Sequence, residues 1–286
     1  MESRLSMQDR VCLVTGATAG IGKVTARVLA EQGATVIGVG RNANKCAAVA
    51  EEIKDKTHNP AVEYLVADLS SMEAVRNLAR QFKSKYNRLH VLVNNVGAYF
   101  LSRHKSVDGL ELTFALNHLG VFLLTNLLLD TLKASAPSRI INVSSGAHMG
   151  ARLNFEDLQN QNGFGFGWQA YGKSKLANIL FTHELARRLE GTGVTANALH
   201  PGFVASDFAT NNGWLVRLAR PLMDLGAISV EEGAKTTLYL ATRPELANVT
   251  GKYFVEQKEA RSSPASCDEE SARRLWKISE ELAGLA

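Results

Sequence analysis

The chain has 286 residues, of which 45% are hydrophobic, and no linker-like run divides it. We therefore expect a full core and one domain over residues 1–286. The formal charge of +4 comes from basic residues scattered among acidic ones, which argues against a nucleic-acid partner. Cys12, Cys46 and Cys267 are too far apart in sequence to suggest a disulfide framework or a metal site, which favours a reducing compartment.

The N-terminal residues contain no apolar run that would serve as a signal peptide, and we expect no later apolar stretch to be long enough to span a bilayer. These patterns predict a soluble, cytoplasmic protein without an integral membrane segment. The four histidines His118, His148, His183 and His200 show no metal-ligand spacing. We expect them to be structural or solvated, and no metal to be bound.

Short apolar runs alternate with segments of helical periodicity along the chain. The runs predict strands at residues 11–15, 35–39, 62–66, 89–93, 139–143, 194–199 and 253–255. The periodic segments predict helices at residues 21–32, 44–56, 71–86 with Ser71 as N-cap, 110–132, 165–190, 230–241 and 268–282. This alternation predicts an α/β fold with one Rossmann-type, doubly wound parallel sheet and helices on both faces.

A glycine-rich turn, Thr15-Gly-Ala-Thr-Ala-Gly-Ile-Gly22, lies between the first predicted strand and the first predicted helix. Glycines at these positions let backbone amides approach a pyrophosphate, whose charge is favoured by the helix N-terminus. A flexible turn is the alternative, but the strand and helix on either side favour dinucleotide binding.

Tyr171 and Lys175 are four residues apart in the helix predicted at residues 165–190, so their side chains lie on one face. A nearby ammonium favours the phenolate, which would lower the pKa of Tyr171 and make it a candidate general acid. A plain surface pair is the alternative. The apolar residues Leu176, Ile179 and Leu180 instead indicate a packed helix that would hold a site rigidly.

Five motifs together resemble the short-chain dehydrogenase/reductase family over nearly the whole chain. They are Thr15-Gly-x-x-x-Gly-Ile-Gly22, Asn94-Asn-Val-Gly97, Asn117, Ser144-Ser145 and Tyr171-x-x-x-Lys175. Val96 replaces the alanine usual in the second motif, which is a mild departure. Finer similarity to the retinol dehydrogenase branch lies in Asn142-Val-Ser-Ser-Gly-Ala-His148, Ser174-Lys-Leu-Ala-Asn178, Gly191-Thr-Gly-Val-Thr195 and His200-Pro-Gly202.

The resemblance implies a catalytic set of four residues. Tyr171 would pass a proton to the substrate oxygen, and Lys175 would hold the nicotinamide ribose and keep the phenol acidic. Ser145 would donate a hydrogen bond to the same oxygen, with Ser144 as the fallback. Asn117 would relay protons through water to the lysine; its alternative is an exposed polar residue in mid-helix.

The resemblance also implies how the dinucleotide would be held. Asp68 would meet the adenine amino group beside Leu69, unless Asp68 only caps the following helix. Asn94 and Gly97 would line the adenine ribose, and Pro201 and Gly202 the nicotinamide. The cofactor-binding residues expected in all are Gly16, Thr18, Ala19, Gly20, Ile21, Gly22, Arg41, Asn42, Asp68, Leu69, Asn94, Val96, Gly97, Tyr171, Lys175, Pro201, Gly202, Val204 and Ser206.

The end of the second predicted strand, Gly38-Val-Gly-Arg-Asn42, carries no acidic residue. An acid there usually meets the ribose hydroxyl of NAD, whereas an arginine accommodates the 2′-phosphate of NADP. We therefore predict NADP(H), with Arg41 on the phosphate and Asn42 or Lys45 assisting. A solvated loop arginine is the alternative.

Two apolar segments are expected to emerge beyond the carboxyl ends of the strands, where ligands bind in open parallel sheets. We assign the cofactor half to about residues 8–145, the substrate loops to about 146–170 and 203–229, and a C-terminal helix of unassigned role to about 268–282. The loops carry Met149, Leu153, Phe155, Phe164, Phe166, Trp168, Phe203, Phe208, Trp214, Leu215 and Leu218.

These side chains favour a hydrophobic aldehyde, ketone or alcohol, retinal-like or aromatic, as substrate. The alternatives are that they belong to the core or to a dimer contact, or that residues 214–228 form a lid or touch a membrane surface.

The motifs predict an NADP(H)-dependent oxidoreductase of such substrates. A regulator that senses the redox state of its dinucleotide without turnover is the alternative from another class, and a light-dependent protochlorophyllide reductase is the alternative among enzymes. The apolar content of the two helices around Asn117 and Tyr171 exceeds one stripe, so by analogy with the family we expect a homo-oligomer, either a dimer or a tetramer.

Overall fold

The computed structural model of the protein describes residues 6–204 and 227–286. Within these residues, eight strands form one sheet in the order β3-β2-β1-β4-β5-β6-β7-β8. β1 to β7 run parallel, and β8 pairs antiparallel with β7 at the edge. The strands are β1 Val11–Thr15, β2 Thr35–Gly40, β3 Val62–Val66, β4 Val91–Asn94, β5 Ser138–Val143, β6 Val194–His200, β7 Tyr253–Val255 and β8 Lys258–Glu259.

Helices connect the parallel strands. They are α1 Gly20–Glu31, α2 Ala43–Thr57, α3 Met72–Lys85, α4 Leu112–Ala134, α5 Trp168–Arg188 and α6 Val230–Thr242, and a further helix, α7 Glu269–Ala283, follows β8. α4 contains a π-helical turn at Ala115–Leu119. The edge strand β8 was not predicted, because two charged residues carry no apolar alternation.

Alternate residues of the strands enter two separate cores. In β1, Leu13 packs into the core beneath α3, α4, α5 and α7, whereas Cys12 and Val14 pack into the core beneath α1, α2 and α6. Side chains alternate across a strand, so a strand buried on both faces is apolar throughout. The predicted doubly wound α/β fold with helices on both faces is confirmed.

The helix α4 contradicts the expectation that no apolar stretch is long enough to span a bilayer. It has 23 residues, and the mean hydropathy of its most apolar 18-residue window is 1.7, so it is long and apolar enough to cross a membrane. However, 78% of its most apolar window is buried inside the protein, as expected for a core helix. The cytoplasmic location stays a prediction.

The C-terminal helix α7 accounts for the excess apolar surface of α4 and α5. Its Trp276 ring lies 5.0 Å from the ring of Phe122 on α4 and 5.6 Å from that of Phe181 on α5, measured between centroids. The face on which we based oligomerisation is therefore covered by the chain's own helix. This face therefore no longer supports a homo-oligomer, and homo-oligomerisation stays a prediction.

Candidate active site

Two cavities lie at the carboxyl ends of the strands, where the strand order reverses between β1 and β4. The first has a volume of about 530 Å³ and the second about 270 Å³. Gly16, Val96 and Gly97 line both cavities, so the two meet at the glycine-rich turn. Of the predicted residues, the first cavity is lined by Gly16, Ala19, Gly20, Ile21, Val96, Gly97, Ser145, Tyr171, Lys175, Pro201, Gly202 and Val204.

The glycine-rich turn passes from β1 into α1 in a conformation that favours glycine. Gly16 and Gly20 have φ values of 65° and 53°. A Cβ atom on Gly22 would lie 2.4 Å from the carbonyl oxygen of Gly16, so a glycine at this position allows α1 to pack against the turn. Gly22 is not among the residues that line the first cavity. The N-cap of α1 is Ala19, whose side chain cannot accept a hydrogen bond, so the helix N-terminus suits an anion.

Lys175 is a buried cation at the wall of the first cavity. Its side chain is 2% exposed, and its Nζ atom donates to the carbonyl oxygen of Val143 at 3.0 Å. A Cβ atom on Gly97 would lie 2.9 Å from Nζ, so glycine at this position leaves room beside the ammonium. Burial lowers the pKa of Lys175 to about 8, so the group is still largely protonated at neutral pH.

Tyr171 lies one turn before Lys175 on α5, with its ring centroid 5.6 Å from the Lys175 Nζ atom. Burial raises the pKa of the phenol above its ordinary value, and a hydrogen bond with the Ser145 side chain lowers it. The expectation that Lys175 makes the phenol acidic is wrong for the protein alone. The ammonium binds the Val143 carbonyl, and burial, which disfavours the phenolate, is the largest influence on the pKa of the phenol.

The two adjacent serines have different partners. The Ser144 hydroxyl donates to the carbonyl oxygen of Lys175 at 2.8 Å. The Ser145 hydroxyl accepts from the Ala147 N–H at 3.2 Å and is hydrogen-bonded to the Tyr171 side chain. Both serines line the first cavity, but Ser145 is the one that contacts the phenol.

Asn117 is fully buried in the π-helical turn of α4, which contradicts the alternative of an exposed helix residue. Its Nδ2 atom donates to the carbonyl oxygen of Ala98 and to the Ser174 hydroxyl, both at 3.0 Å. Its Oδ1 atom accepts from the Ala98 N–H at 2.9 Å. Asn117 therefore joins the segment after β4 to α5 and is not among the residues that line the first cavity.

The second cavity is lined by four further predicted residues, Thr18, Arg41, Asp68 and Leu69. Asp68 accepts at Oδ1 from the Ser70 N–H and hydroxyl, at 2.9 and 2.7 Å. The cap of α3 is Ser71, which accepts from the Ala74 N–H, so Asp68 is not that cap.

Asn42 and Asn94 both have structural partners. Asn94 lines neither cavity, contrary to what the resemblance implied, whereas a part for Asn42 beside Arg41 stays a prediction. Asn42 caps α2 by accepting from the Lys45 N–H at 2.9 Å. Asn94 is 1% exposed, and its Nδ2 atom donates to Thr125 and Asn142 within the core. The partner of Asn42 is local, whereas the partners of Asn94 lie 31 and 48 residues away in the chain.

Asn95 lines the first cavity in place of Asn94, and sequence reasoning missed it. Its Nδ2 atom donates to the Thr15 carbonyl oxygen at 2.9 Å, which ties the end of β4 to the glycine-rich turn. Alternation along β4 was the available signal, because Asn94 and Asn95 must point to opposite sides.

The apolar residues of the substrate loops lie in several different environments. Trp168 and Phe203 line the first cavity, whereas Leu153 and Phe155 pack against the core, as the alternative anticipated. Met149 and Phe166 are exposed, and Phe164 is partly buried. Ser206, Phe208, Trp214, Leu215, Leu218 and most of residues 214–228 lie outside the described residues.

Tyr99 is a further aromatic residue at the site that the sequence did not indicate. Its ring lies edge-on to Trp168 and Tyr171, with centroid distances of 6.4 and 6.2 Å. Its hydroxyl donates to the Phe166 carbonyl oxygen at 2.6 Å. Tyr99 thereby joins the segment after β4 to the loop that precedes α5.

Potential metal ligands are not clustered in the described part of the chain, where no three His, Cys, Asp or Glu side chains group to hold an ion. His118 is fully buried, and burial lowers its pKa to about 4. It hydrogen-bonds Asn178 and Ser279 and so joins α4, α5 and α7.

Comparison with known proteins identifies close relatives. The short chain dehydrogenase family model matches residues 10–213. The chain is 43% identical to retinol dehydrogenase 12 of Mus musculus, covering 99% of this chain and 89% of that protein. It is 44% identical to polyprenol dehydrogenase of Homo sapiens, covering 97% and 86%. The solved NADP active-site complex of Pseudomonas aeruginosa RhlG is similar with a TM-score of 0.70 and 30% identity, covering 89% of this chain and 97% of that one.

Proposed function

The chain belongs to the short-chain dehydrogenase family, and within its retinol dehydrogenase-like branch we propose that it uses NADP(H) to interconvert an apolar aldehyde or ketone and its alcohol. One observation carries the proposal. One cavity is lined both by the glycine-rich turn and by the Tyr171 phenol, the Ser145 hydroxyl and the Lys175 ammonium.

The two cavities fit a dinucleotide. They meet at the glycine-rich turn, which would hold the pyrophosphate, while the second cavity would take the adenosine half and the first cavity the nicotinamide half. An ammonium carries three N–H donors and Val143 takes one, so Lys175 is suited to hold the nicotinamide ribose. When bound, NADPH supplies the hydride to the substrate carbonyl carbon.

The side chains around the substrate oxygen supply the proton. A phenol has an ordinary pKa near 10 and burial raises that of Tyr171 further, so the phenol carries its proton at neutral pH and can donate it to the substrate oxygen. Ser145 contacts the same phenol, so its hydroxyl is placed to hold the substrate oxygen beside it. Lys175, with a pKa of about 8, adds a positive charge that favours the phenolate left after proton transfer. Asn117 holds Ala98 and Ser174 through hydrogen bonds. In this proposal, its part in a proton relay is to keep these two residues in position.

Arg41→Asp is expected to raise the KM for NADPH by about tenfold or more, because it removes a charge-assisted contact worth about 1.5–3 kcal/mol. The position of Arg41, which lines the second cavity directly after β2, supports the proposed contact with a 2′-phosphate. Initial rates with NADPH and NADH measure the effect, and the KM for NADH should not rise. Arg80→Asp, at an exposed arginine paired with Glu73, is the matched control. An unchanged KM for NADPH would remove Arg41 from the phosphate site.

An apolar substrate is supported by the aromatic side chains at the first cavity. Trp168 and Phe203 line it while remaining 60% and 64% exposed, so a ligand would cover apolar surface that now faces solvent. Tyr99 holds the Trp168 side of this wall through its edge-on ring contact. The names of two relatives, a retinol and a polyprenol dehydrogenase, are consistent with this substrate class.

A series of straight-chain aldehydes, assayed with NADPH in the dark, tests both turnover and substrate class. We expect each added methylene to raise kcat/KM by up to roughly fourfold until the cavity is filled. This factor corresponds to about 0.8 kcal/mol of free energy for burying one methylene. Trp168→Ala should flatten the rise without changing the KM for NADPH. Phe166→Ala is the control, since this aromatic side chain is 85% exposed and is not among the cavity-lining residues. A flat wild-type series would exclude the apolar pocket, and no turnover of any aldehyde would favour the regulator.

A further inference from the structure

His148 contacts the main chain of Ser145, the proposed catalytic serine. Its imidazole is fully buried in the 3₁₀ turn Gly146–Gly150, which begins after Ser145. The Ser145 carbonyl oxygen accepts from the main-chain N–H of His148 at 3.2 Å and lies 2.6 Å from its Nδ1 atom. One residue thus makes both of these contacts to the carbonyl group of Ser145.

The other ring nitrogen sets the tautomer. The Nε2 atom of His148 lies 3.2 Å from the main-chain N–H of Ser263, which can only donate. Nε2 must therefore be the acceptor, so the proton is on Nδ1 and Nδ1 donates to Ser145. Burial also lowers the pKa of His148, which keeps the ring neutral.

The position of the ring is set by distant parts of the chain. The Tyr253 ring of β7 packs edge-on at a centroid distance of 5.0 Å. Ser263 precedes the 3₁₀ turn Pro264–Cys267, which leads into α7. The Ser145 main chain is therefore tied through His148 to the C-terminal segment, 115 residues away from His148 in sequence.

We propose that His148 is a positioning residue that holds the Ser145 main chain, and so aims the Ser145 hydroxyl at Tyr171. The inference rests on the proposed function, because it assigns Ser145 a part in turnover. Ser145 is extended, with φ −162° and ψ 154°, and its hydroxyl points into the turn to accept from Ala147. Rotation of the peptide between Ser145 and Gly146 would shift that hydroxyl, and the two bonds from His148 resist this rotation.

Three substitutions separate the two ring contacts. His148→Ala loses both, His148→Asn keeps an N–H donor near the position of Nδ1, and His148→Gln keeps an acceptor near that of Nε2. We expect kcat to fall at least about tenfold in His148→Ala and His148→Gln and to recover largely in His148→Asn. The NADPH dissociation constant, measured by fluorescence quenching, should change by less than about twofold in all three.

His183→Ala is the matched control, because the Nδ1 atom of His183 likewise contacts a main-chain carbonyl oxygen, that of Ser266, at 2.9 Å. It lies away from Ser145 and should leave kcat unchanged. If His148→Ala does not fold, the comparison of the Asn and Gln variants still decides. Equal losses in these two folded variants would overturn the proposal, since the Nδ1 donor would then have no special role.

A double-mutant cycle tests whether His148 acts through Ser145. If it does, His148→Asn and His148→Gln should have the same kcat in a Ser145→Ala background, because the hydroxyl that they position is absent. A ratio between them that persists in that background would overturn the inference alone. If Ser145→Ala by itself turned over as fast as the wild type, the catalytic part assigned to Ser145 in the proposed function would fail instead.

Discussion

Tyr171→Phe is expected to lower kcat by at least about a hundredfold, the usual scale of general acid catalysis, while the protein still folds and binds NADPH. The substitution removes one oxygen atom and keeps the ring. The ring contacts with Tyr99 and Trp168, each at a centroid distance of 6.2 Å, should therefore survive. Steady-state kinetics with an aldehyde, NADPH titration and thermal unfolding measure the three properties.

Tyr99→Phe is the control for the Tyr171 prediction, because it also removes one phenolic oxygen at the same aromatic cluster. Its hydroxyl donates to the Phe166 carbonyl oxygen, so turnover should be largely retained. Lys175→Ala should impair both turnover and NADPH binding, because the proposal gives this ammonium both tasks. If Tyr171→Phe lost NADPH binding together with turnover, Tyr171 would be a binding residue rather than the acid.

Trp276→Ala is expected to lower the free energy of unfolding by about 3–5 kcal/mol, the range for removing a large buried aromatic side chain. Trp276 is 4% exposed and packs between Phe122 and Phe181. The Arg188 guanidinium also lies 4.1 Å from its ring centroid. The change leaves a cavity between α7 and the two helices that carry the site.

Urea denaturation of the wild type and Trp276→Ala measures this loss. Trp168→Ala is the control, since its side chain is 60% exposed and its removal should cost only about 0.5–1.5 kcal/mol, the scale of its ring contacts with Tyr99 and Tyr171. Trp276→Phe should lie between the two. A loss below about 1 kcal/mol for Trp276→Ala would mean that α7 contributes little to the folded core. Dimerisation of Trp276→Ala, seen by gel filtration, would indicate that α7 covers a surface able to bind another copy.

The elements that the sequence predicted correctly depend on neighbours within a few residues. The order of strands and helices follows from apolar periodicity, and the placement of the glycine-rich turn follows from its position between β1 and α1. Tyr171 and Lys175 share a cavity wall because four residues are about one helical turn. A local sequence pattern is therefore enough to predict a contact when the two residues are close in the chain, or when the repeat of the helix or strand sets the direction of their side chains.

The tertiary structure decided the features that depend on burial or on residues far apart in the chain. Burial raises the pKa of Tyr171, although its spacing from Lys175 predicted a lowered pKa, because a spacing rule does not include the cost of burying a phenolate. Alternation along β4 predicts that Asn94 and Asn95 point to opposite sides, but Asn94 is the one that enters the core because Thr125 and Asn142 lie beside it after folding. The apolar excess of α4 and α5 meets Trp276 rather than a second subunit, and His148 meets Ser263. These contacts join segments separated by roughly 30 to 150 residues, so only the folded chain determines them.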